Sequence, residues 1–261
     1  MKLTVETVRK MLAEAVGTAP VLPSEWLGLL AKLEGYYECP KDSTGKRLGP
    51  LVGYAGKYDE THQFVGDVYV NFAKFEEWTE VLRQVASEIH VQICELGISR
   101  VDAVCGLPEG GKALAVLLAD FLECRYIFPD KKVKVVATAA SREVSELSFG
   151  RHEVGPGEKI LLVEDVINNV SSVEQAVDIC AKRGAVVAGA SCFFNRSPFE
   201  ASYQPKSGGL SIPLVNVVWK HLPQYRQDDP AVSADIAEGN VVWKPKDKWS
   251  QLVDAMAKAK A

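Results

Sequence analysis

Residues 159–172, KILLVEDVINNVSS, place four apolar residues, Ile160 to Val163, directly before two adjacent acids, Glu164 and Asp165, then two asparagines and two serines. The apolar run reads as a buried strand. Two carboxylates at its end repel one another and resist desolvation, so the pair persists where water, a cation or hydroxyl donors satisfy it. The neighbouring hydroxyls of a ribose would do so. Asn168, Asn169, Ser171 and Ser172 then open a helix-forming run, SVEQAVDICAKRG. Amides and hydroxyls converge there, where a phosphate gains about 0.3–2 kcal/mol from the helix end alone. A plainer arrangement, solvated acids followed by a serine cap, suits the same residues. A second candidate is GLPEGGKALA, 106–115, in which Gly106, Gly110 and Gly111 surround Pro108 between a strand and a helix. Its glycines either let backbone approach an anionic ligand or simply make a tight turn; the spacing fits neither G-x-G-x-x-G nor a P-loop.

These loops need a frame to hold them, and the chain around them alternates strand and helix. A helix over 76–96, strand 101–107, helix 111–123, strand 132–139, strand 159–163, helix 171–183 and strand 185–194 specify βαβ units. The fold class is therefore α/β, with a mostly parallel central sheet flanked by helices. Ligands of such sheets gather outside the carboxyl ends of the strands, which selects the loops 106–111, 141–158 and 164–172. Upstream lie amphipathic helices over 3–16 and 24–34, the second capped by Ser24 and closed by Gly35. A Gly- and Pro-rich stretch over 40–66 suggests a hairpin, and DVYVNF, 67–72, reads as a strand. Downstream, 198–261 holds a strand at 212–219 and a final helix at 247–259.

Composition narrows the partners. With 261 residues, 47% of them hydrophobic, the chain can bury a sizeable core. Thirty Lys plus Arg against 34 Asp plus Glu leave a net charge of −4, which argues against nucleic acid as a partner. Six cysteines, at 39, 94, 105, 124, 180 and 192, form no C-x-x-C pair and suit a reducing cytoplasm rather than structural zinc. No stretch approaches the ~18 consecutive apolar residues of a membrane span, and the N-terminus lacks the apolar centre of a secretion signal.

Strand, acidic pair, two apolar residues and a polar loop resemble the phosphoribosyl diphosphate (PRPP) loop of the type I phosphoribosyltransferases. Taken with GLPEGGKALA, the likeness covers roughly residues 50–200. The orotate-specific members are the most similar: DVYVNF resembles their segment near the base, and FFNR, ending at Arg196, resembles the element that contacts the orotate carboxylate. The Glu-then-Asp order is commoner in purine-specific members.

This resemblance implies one phosphoribosyltransferase-like domain over 1–261, with a core at 76–197 and a small hood from 1–75 and 198–261. Glu164 and Asp165 would bind the ribose 2′ and 3′ hydroxyls, with Asp165 also stabilising positive charge on the sugar. Asn168, Asn169, Val170, Ser171 and Ser172 would enclose the 5′-phosphate, and Gly106, Leu107, Pro108, Glu109, Gly110 and Gly111 the pyrophosphate. Arg196 would grip a carboxylate on the base, unless it is an ordinary surface arginine; Lys57 would be a second contact, with Tyr69 and Asn71 nearby. Arg142, Arg151 and His152 would assist pyrophosphate departure from a mobile lid over 141–158, a stretch that suits an exposed connection equally. Mg²⁺ would arrive on PRPP, with no metal cage in the protein. The partners implied are PRPP and a nucleobase, without nucleic acid or membrane, and a homodimer in the cytoplasm is expected.

Two departures from the family pattern stand out. A glycine is usual where this chain has Val170, and threonines where it has Asn168 and Asn169. Asparagine tolerates a left-handed backbone, so the turn is expected one residue earlier, at Asn169. The lid also lacks the family's lysines. The alternatives to an orotate enzyme are a purine phosphoribosyltransferase and a non-catalytic PRPP or nucleotide sensor.

Overall fold

The computed structural model describes residues 3–16, 21–59, 61–98, 100–135 and 144–258. Helices α1 (Val5–Val16) and α2 (Pro23–Lys32) come first, then strands β1 (Tyr36–Glu38), β2 (Leu51–Lys57), β3 (Gln63–Gly66) and β4 (Val68–Val70). The next run is α3 (Ala73–Glu76), α4 (Thr79–Glu95), β5 (Ala103–Gly106), α5 (Gly111–Phe121), β6 (Arg125–Ile127), β7 (Asp130–Val135) and β8 (Val144–Ser148). It continues through β9 (Lys159–Ile167), α6 (Ser171–Ala181), β10 (Val186–Asn195), β11 (Ser202–Tyr203) and β12 (Ile212–Trp219). Last come α7 (Ser233–Ala237), β13 (Val241–Val242) and α8 (Trp249–Lys258).

Two compact units share the chain, and the first takes residues up to Leu29, then Phe72–Val133 and Ser145–His221. Its sheet runs β11-β12-β10-β9-β5-β6; all neighbours are parallel except β11, which closes one edge antiparallel to β12. A strand between two parallel neighbours is covered on both faces and must be apolar throughout, which is why Ile160 to Val163 of β9 have no exposed surface. Ile160 and Leu162 pack in one cluster with Val173, Ala176 and Cys180 of α6. Leu161 and Val163 face the other way by the two-residue period of a strand, and α4 and α5 cover that side. Trp26 of α2 and Phe75 of α3 lock onto Phe193 of β10, with centroids 6.2 and 5.0 Å away.

The second unit comprises Leu30–Asn71, Lys134–Val144 and Leu222–Ala261. Its β2–β3 hairpin is antiparallel, β13 joins β2 in parallel, and β1 pairs with β4. Arg47 forks between Asp67 at 2.5 Å and Asp235 at 3.0 Å. Burial works to raise the Asp67 carboxyl, yet Arg47 and Lys41 hold it below its usual value.

Several boundaries differ from the sequence reading. The helix expected over 76–96 is broken at Trp78, whose extended backbone separates α3 from α4. Helix α2 starts at Pro23, so Ser24 lies inside its first turn rather than capping it. Its end turns at Glu34, in the left-handed region at φ +63, rather than at Gly35. Gly35 is required for room: a Cβ there would lie 2.5 Å from Leu30 Cδ1. The polar stretch 141–158 contains β8, which pairs with β7.

Candidate functional site

Strand β9 does not end at the acidic pair, as the sequence suggests. β5 accompanies it only to Gly106, opposite Val163, whereas β10 continues alongside through Glu164, Val166 and Ile167. The long neighbour supplies a ladder that the polar sequence of β9 conceals. On the side that β5 vacates, the loop after Gly106 folds in: Leu107 N donates to Val163 O at 2.8 Å, and Gly111 N to Leu107 O at 3.1 Å. A Cβ at Gly111 would lie 2.1 Å from Val163 O, and one at Gly110 would lie 2.3 Å from Asp165 Oδ2. The glycines therefore serve contact with the acidic strand as well as a turn. Pro108 and Glu109 are joined by a cis peptide bond. Leu107 is fully buried, so its side chain belongs to the core.

Glu164 is 8% exposed. Burial raises its carboxyl above the ordinary value, the charge of Asp165 adds to this, and a hydrogen bond from the Ser172 side chain opposes it. The adjacent Asp165 carboxyl raises it further by favouring the protonated form of Glu164.

Beyond the pair the chain bends into α6, and residues 164–173 with Pro108 line a pocket of about 220 Å³. The left-handed residue is Val170, at φ 55 and ψ 10, and not Asn169 as its chemistry suggests. A β-branched residue there is strained. Val170 is 6% exposed within the core cluster of α6, and that packing holds the strained backbone in place. Asn169 instead accepts the Ser171 amide through Oδ1 at 3.3 Å. Val170 caps α6 without a side-chain bond and Ser171 is the first helical residue, so neither serine is the cap. The amides of a helix's first turn lack intrahelical partners, and here that turn lines the pocket.

No protein-family model matches the chain. Over 129 residues it is 33% identical to the orotate phosphoribosyltransferase of Nitratiruptor sp., a match covering 49% of this chain and 58% of that one. A second orotate phosphoribosyltransferase, from Caldicellulosiruptor saccharolyticus, is 24% identical over 200 residues, 75% of this chain and 88% of its own. The chain is similar in sequence to orotate phosphoribosyltransferases over half to three quarters of its length. It thus spans about three-fifths of the first relative's length. The crystal structure of the Aeropyrum pernix orotate phosphoribosyltransferase matches with a TM-score of 0.48 at 18% identity, over 74% of this chain and 92% of that one.

The other residues that the phosphoribosyltransferase resemblance singles out are dispersed. Arg196 follows β10 and is 5% exposed, so it is a buried arginine rather than a surface one. Its amide donates to Ile167 O at 2.9 Å, which sets it beside the end of β9, but it is not among the residues lining the pocket. Asn195 holds this corner: its Nδ2 donates to Phe199 O at 2.6 Å and Asn216 Oδ1 at 2.9 Å, and its Oδ1 accepts from Ser197 Oγ at 2.7 Å.

The expected lid is packed where it is described. Leu147, Phe149 and Val154 are buried in the core cluster. Arg151 faces Asp130 at 3.8 Å, and the His152 ring meets Phe128 edge-on at 4.6 Å; neither lines the pocket. Arg142 lies outside the described residues. Lys57, opposite Gln63 at the end of β2, belongs to the second unit, as does Asn71, whose amide donates to Gly35 O at 2.8 Å. Tyr69, in the same unit, lies opposite Tyr37, with its ring 6.3 Å from Trp249.

Three residues escape a reading of the sequence. Lys112 pairs with Glu109 at 2.9 Å, and its only outward sign is its place directly after Gly110 and Gly111. Glu174, in the first turn of α6, accepts from Tyr203 Oη and from the Lys206 amide. Asn195 is the third, and nothing in the sequence foretells its partner on β12.

Proposed function

We propose that this protein transfers a 5-phosphoribosyl group from PRPP to a ring nitrogen of a nucleobase, with orotate the favoured base, and releases pyrophosphate. One observation carries the reading: Gly110 packs against Asp165, itself part of the run 164–173 that lines a pocket with Pro108. A diol, its 5′-phosphate and a leaving group at the intervening carbon would there be held within one ligand's length. The orotate phosphoribosyltransferases that the chain matches support the choice of base.

In this reaction the C1′–O bond breaks with its electron pair on the pyrophosphate oxygen, the base nitrogen gives up its proton to solvent, and the electron pair left on it closes the C1′–N bond. Positive charge builds on the ribose. Asp165 would face that charge, Glu164 would give up its proton to accept a ribose hydroxyl, and the first-turn amides of α6 would hold the 5′-phosphate. Arg196 would take the carboxylate of orotate through its planar guanidinium. Mg²⁺ would ride on the phosphates: it prefers oxygen ligands and keeps several waters, and Glu164 and Asp165 offer oxygen donors beside the pocket. Bound in this way it supplies charge neutralisation of pyrophosphate. Among the described residues no group of three or more His, Cys, Asp or Glu is gathered as a metal site. The working form would be a homodimer in the cytoplasm.

A second reading, a PRPP-binding regulator without turnover, is favoured by the packed segment that holds Arg151 and His152 away from the pocket. Pyrophosphate release with PRPP, Mg²⁺ and a panel of bases, set beside calorimetric PRPP binding, separates the two. Release with orotate supports the enzyme, and release with adenine or guanine alone moves the assignment to a purine enzyme. Binding without release across the panel establishes the regulator.

A further inference from the structure

A leaving group as highly charged as pyrophosphate needs cations, and the described part of the expected lid brings none to the pocket. Loop 106–111 carries an acid instead: Glu109 stands between Pro108, which lines the pocket, and Gly110, which touches Asp165. An uncompensated carboxylate there would repel any phosphate. It is compensated by Lys112, the second residue of α5, whose Nζ lies 2.9 Å from Glu109 Oε2. The same ammonium rests 5.0 Å from the centroid of Phe128, which directly follows β6, the neighbour of β5. Lys112 is 30% exposed and Glu109 77%. The ammonium thus rests over an aromatic ring while its ionic partner is a solvated carboxylate, and such an ion pair is weak and easily exchanged.

We propose that Lys112 is the cation that receives the departing pyrophosphate, exchanging Glu109 for a phosphoryl oxygen. The inference rests on the phosphoribosyl-transfer reading and adds to it a residue that does the work expected of Arg142, Arg151 and His152. As the C1′–O bond breaks, the electron pair and its charge pass to pyrophosphate. The ammonium stays protonated, so Lys112 neutralises charge without moving a proton. Glu109 keeps the loop neutral between turnovers and competes with the product, which favours pyrophosphate release.

The experiment measures binding of inorganic pyrophosphate with Mg²⁺, and of ribose 5-phosphate, by calorimetry, together with kcat on PRPP and orotate. In Lys112→Met, pyrophosphate affinity and kcat should each fall about tenfold or more. Ribose 5-phosphate, which lacks the leaving group, should bind as before. Lys112→Arg should recover most of the loss, and Glu109→Gln should tighten pyrophosphate severalfold. Unchanged pyrophosphate affinity in Lys112→Met overturns the assignment, and so does an equal loss of both ligands. A wild-type protein that binds ribose 5-phosphate and releases pyrophosphate, but whose Lys112→Met variant turns over normally, also overturns it. A wild-type protein that binds neither ligand sinks the functional reading itself.

Discussion

Val170 shows how a single side chain can hold a strained turn. Left-handed backbone costs a non-glycine residue about 1–2 kcal/mol. Glycine at this position would remove that cost but forfeit about 1.5–3 kcal/mol of buried valine, and a further 0.5–1 kcal/mol in backbone entropy. The second sum is larger, so Val170→Gly should destabilise the protein by roughly 1–2 kcal/mol, read by urea denaturation; a more stable variant would show that strain, not burial, dominates. Sequence reasoning puts the turn at Asn169 because it weighs backbone preference and cannot see the core beneath. Glu164 invites a test by pH. Burial lifts its carboxyl above the ordinary 4.5, so the folded protein keeps a proton that the unfolded chain releases near that value. The stability tied to that proton is full below 4.5 and is lost as pH rises through the higher folded value. Unliganded wild type should weaken over this interval while Glu164→Gln stays flat; coincident stability curves from denaturation at several pH values would refute the assignment.

Most helices and strands of the βαβ run were legible because periodicity and apolar runs report them directly, and β12 falls over the residues the pattern marks, Ile212–Trp219; the exception is the parallel strand after α5, which is β6 and not the run expected at 132–139, whose described part lies in β7 beside β8 outside the central sheet. What the pattern hides is length that a neighbour confers. β9 runs four residues past its apolar stretch because β10 extends beside it to Asn195. β8 is hidden for a related reason, since its polar sequence reads as a connection while β7 supplies the pairing. Of the site itself, the acids and the glycine loop were visible in the sequence, whereas Lys112 and Asn195 act through partners distant or unremarkable in sequence. Asn195 allows a prediction at this level. From the end of β10 its amide donates to Phe199 O in the following loop and to Asn216 Oδ1 within β12, and an aspartate cannot. Asn195→Asp should cost about 1–3 kcal/mol through unsatisfied carbonyl groups. It should also raise KM for orotate more than for PRPP, since Arg196 shares that turn; equal changes in both constants would detach Arg196 from the base.

For the molecule as a whole, ligand linkage gives the broadest test. At one hundred times its Kd, ribose 5-phosphate should stabilise the fold by about 2.7 kcal/mol, a rise in Tm of roughly 5–10 °C for a chain of this size. Replacing Glu164 and Asp165 by their amides should abolish that shift while leaving a cooperative unfolding transition; a full shift in the doubly substituted protein would mean that the sugar binds elsewhere. Among the described residues no helix is long and apolar enough to cross a membrane. The second unit is stitched from distant parts of the chain: Leu51 pairs with Val241, and the Arg47 guanidinium reaches Ala231 O and Asp235. On the ribosome, therefore, the β2–β3 hairpin must wait with one edge bare until about 175 further residues, from Gly66 to Val241, have emerged, and a nascent chain halted before Val241 would present that edge to whatever it meets.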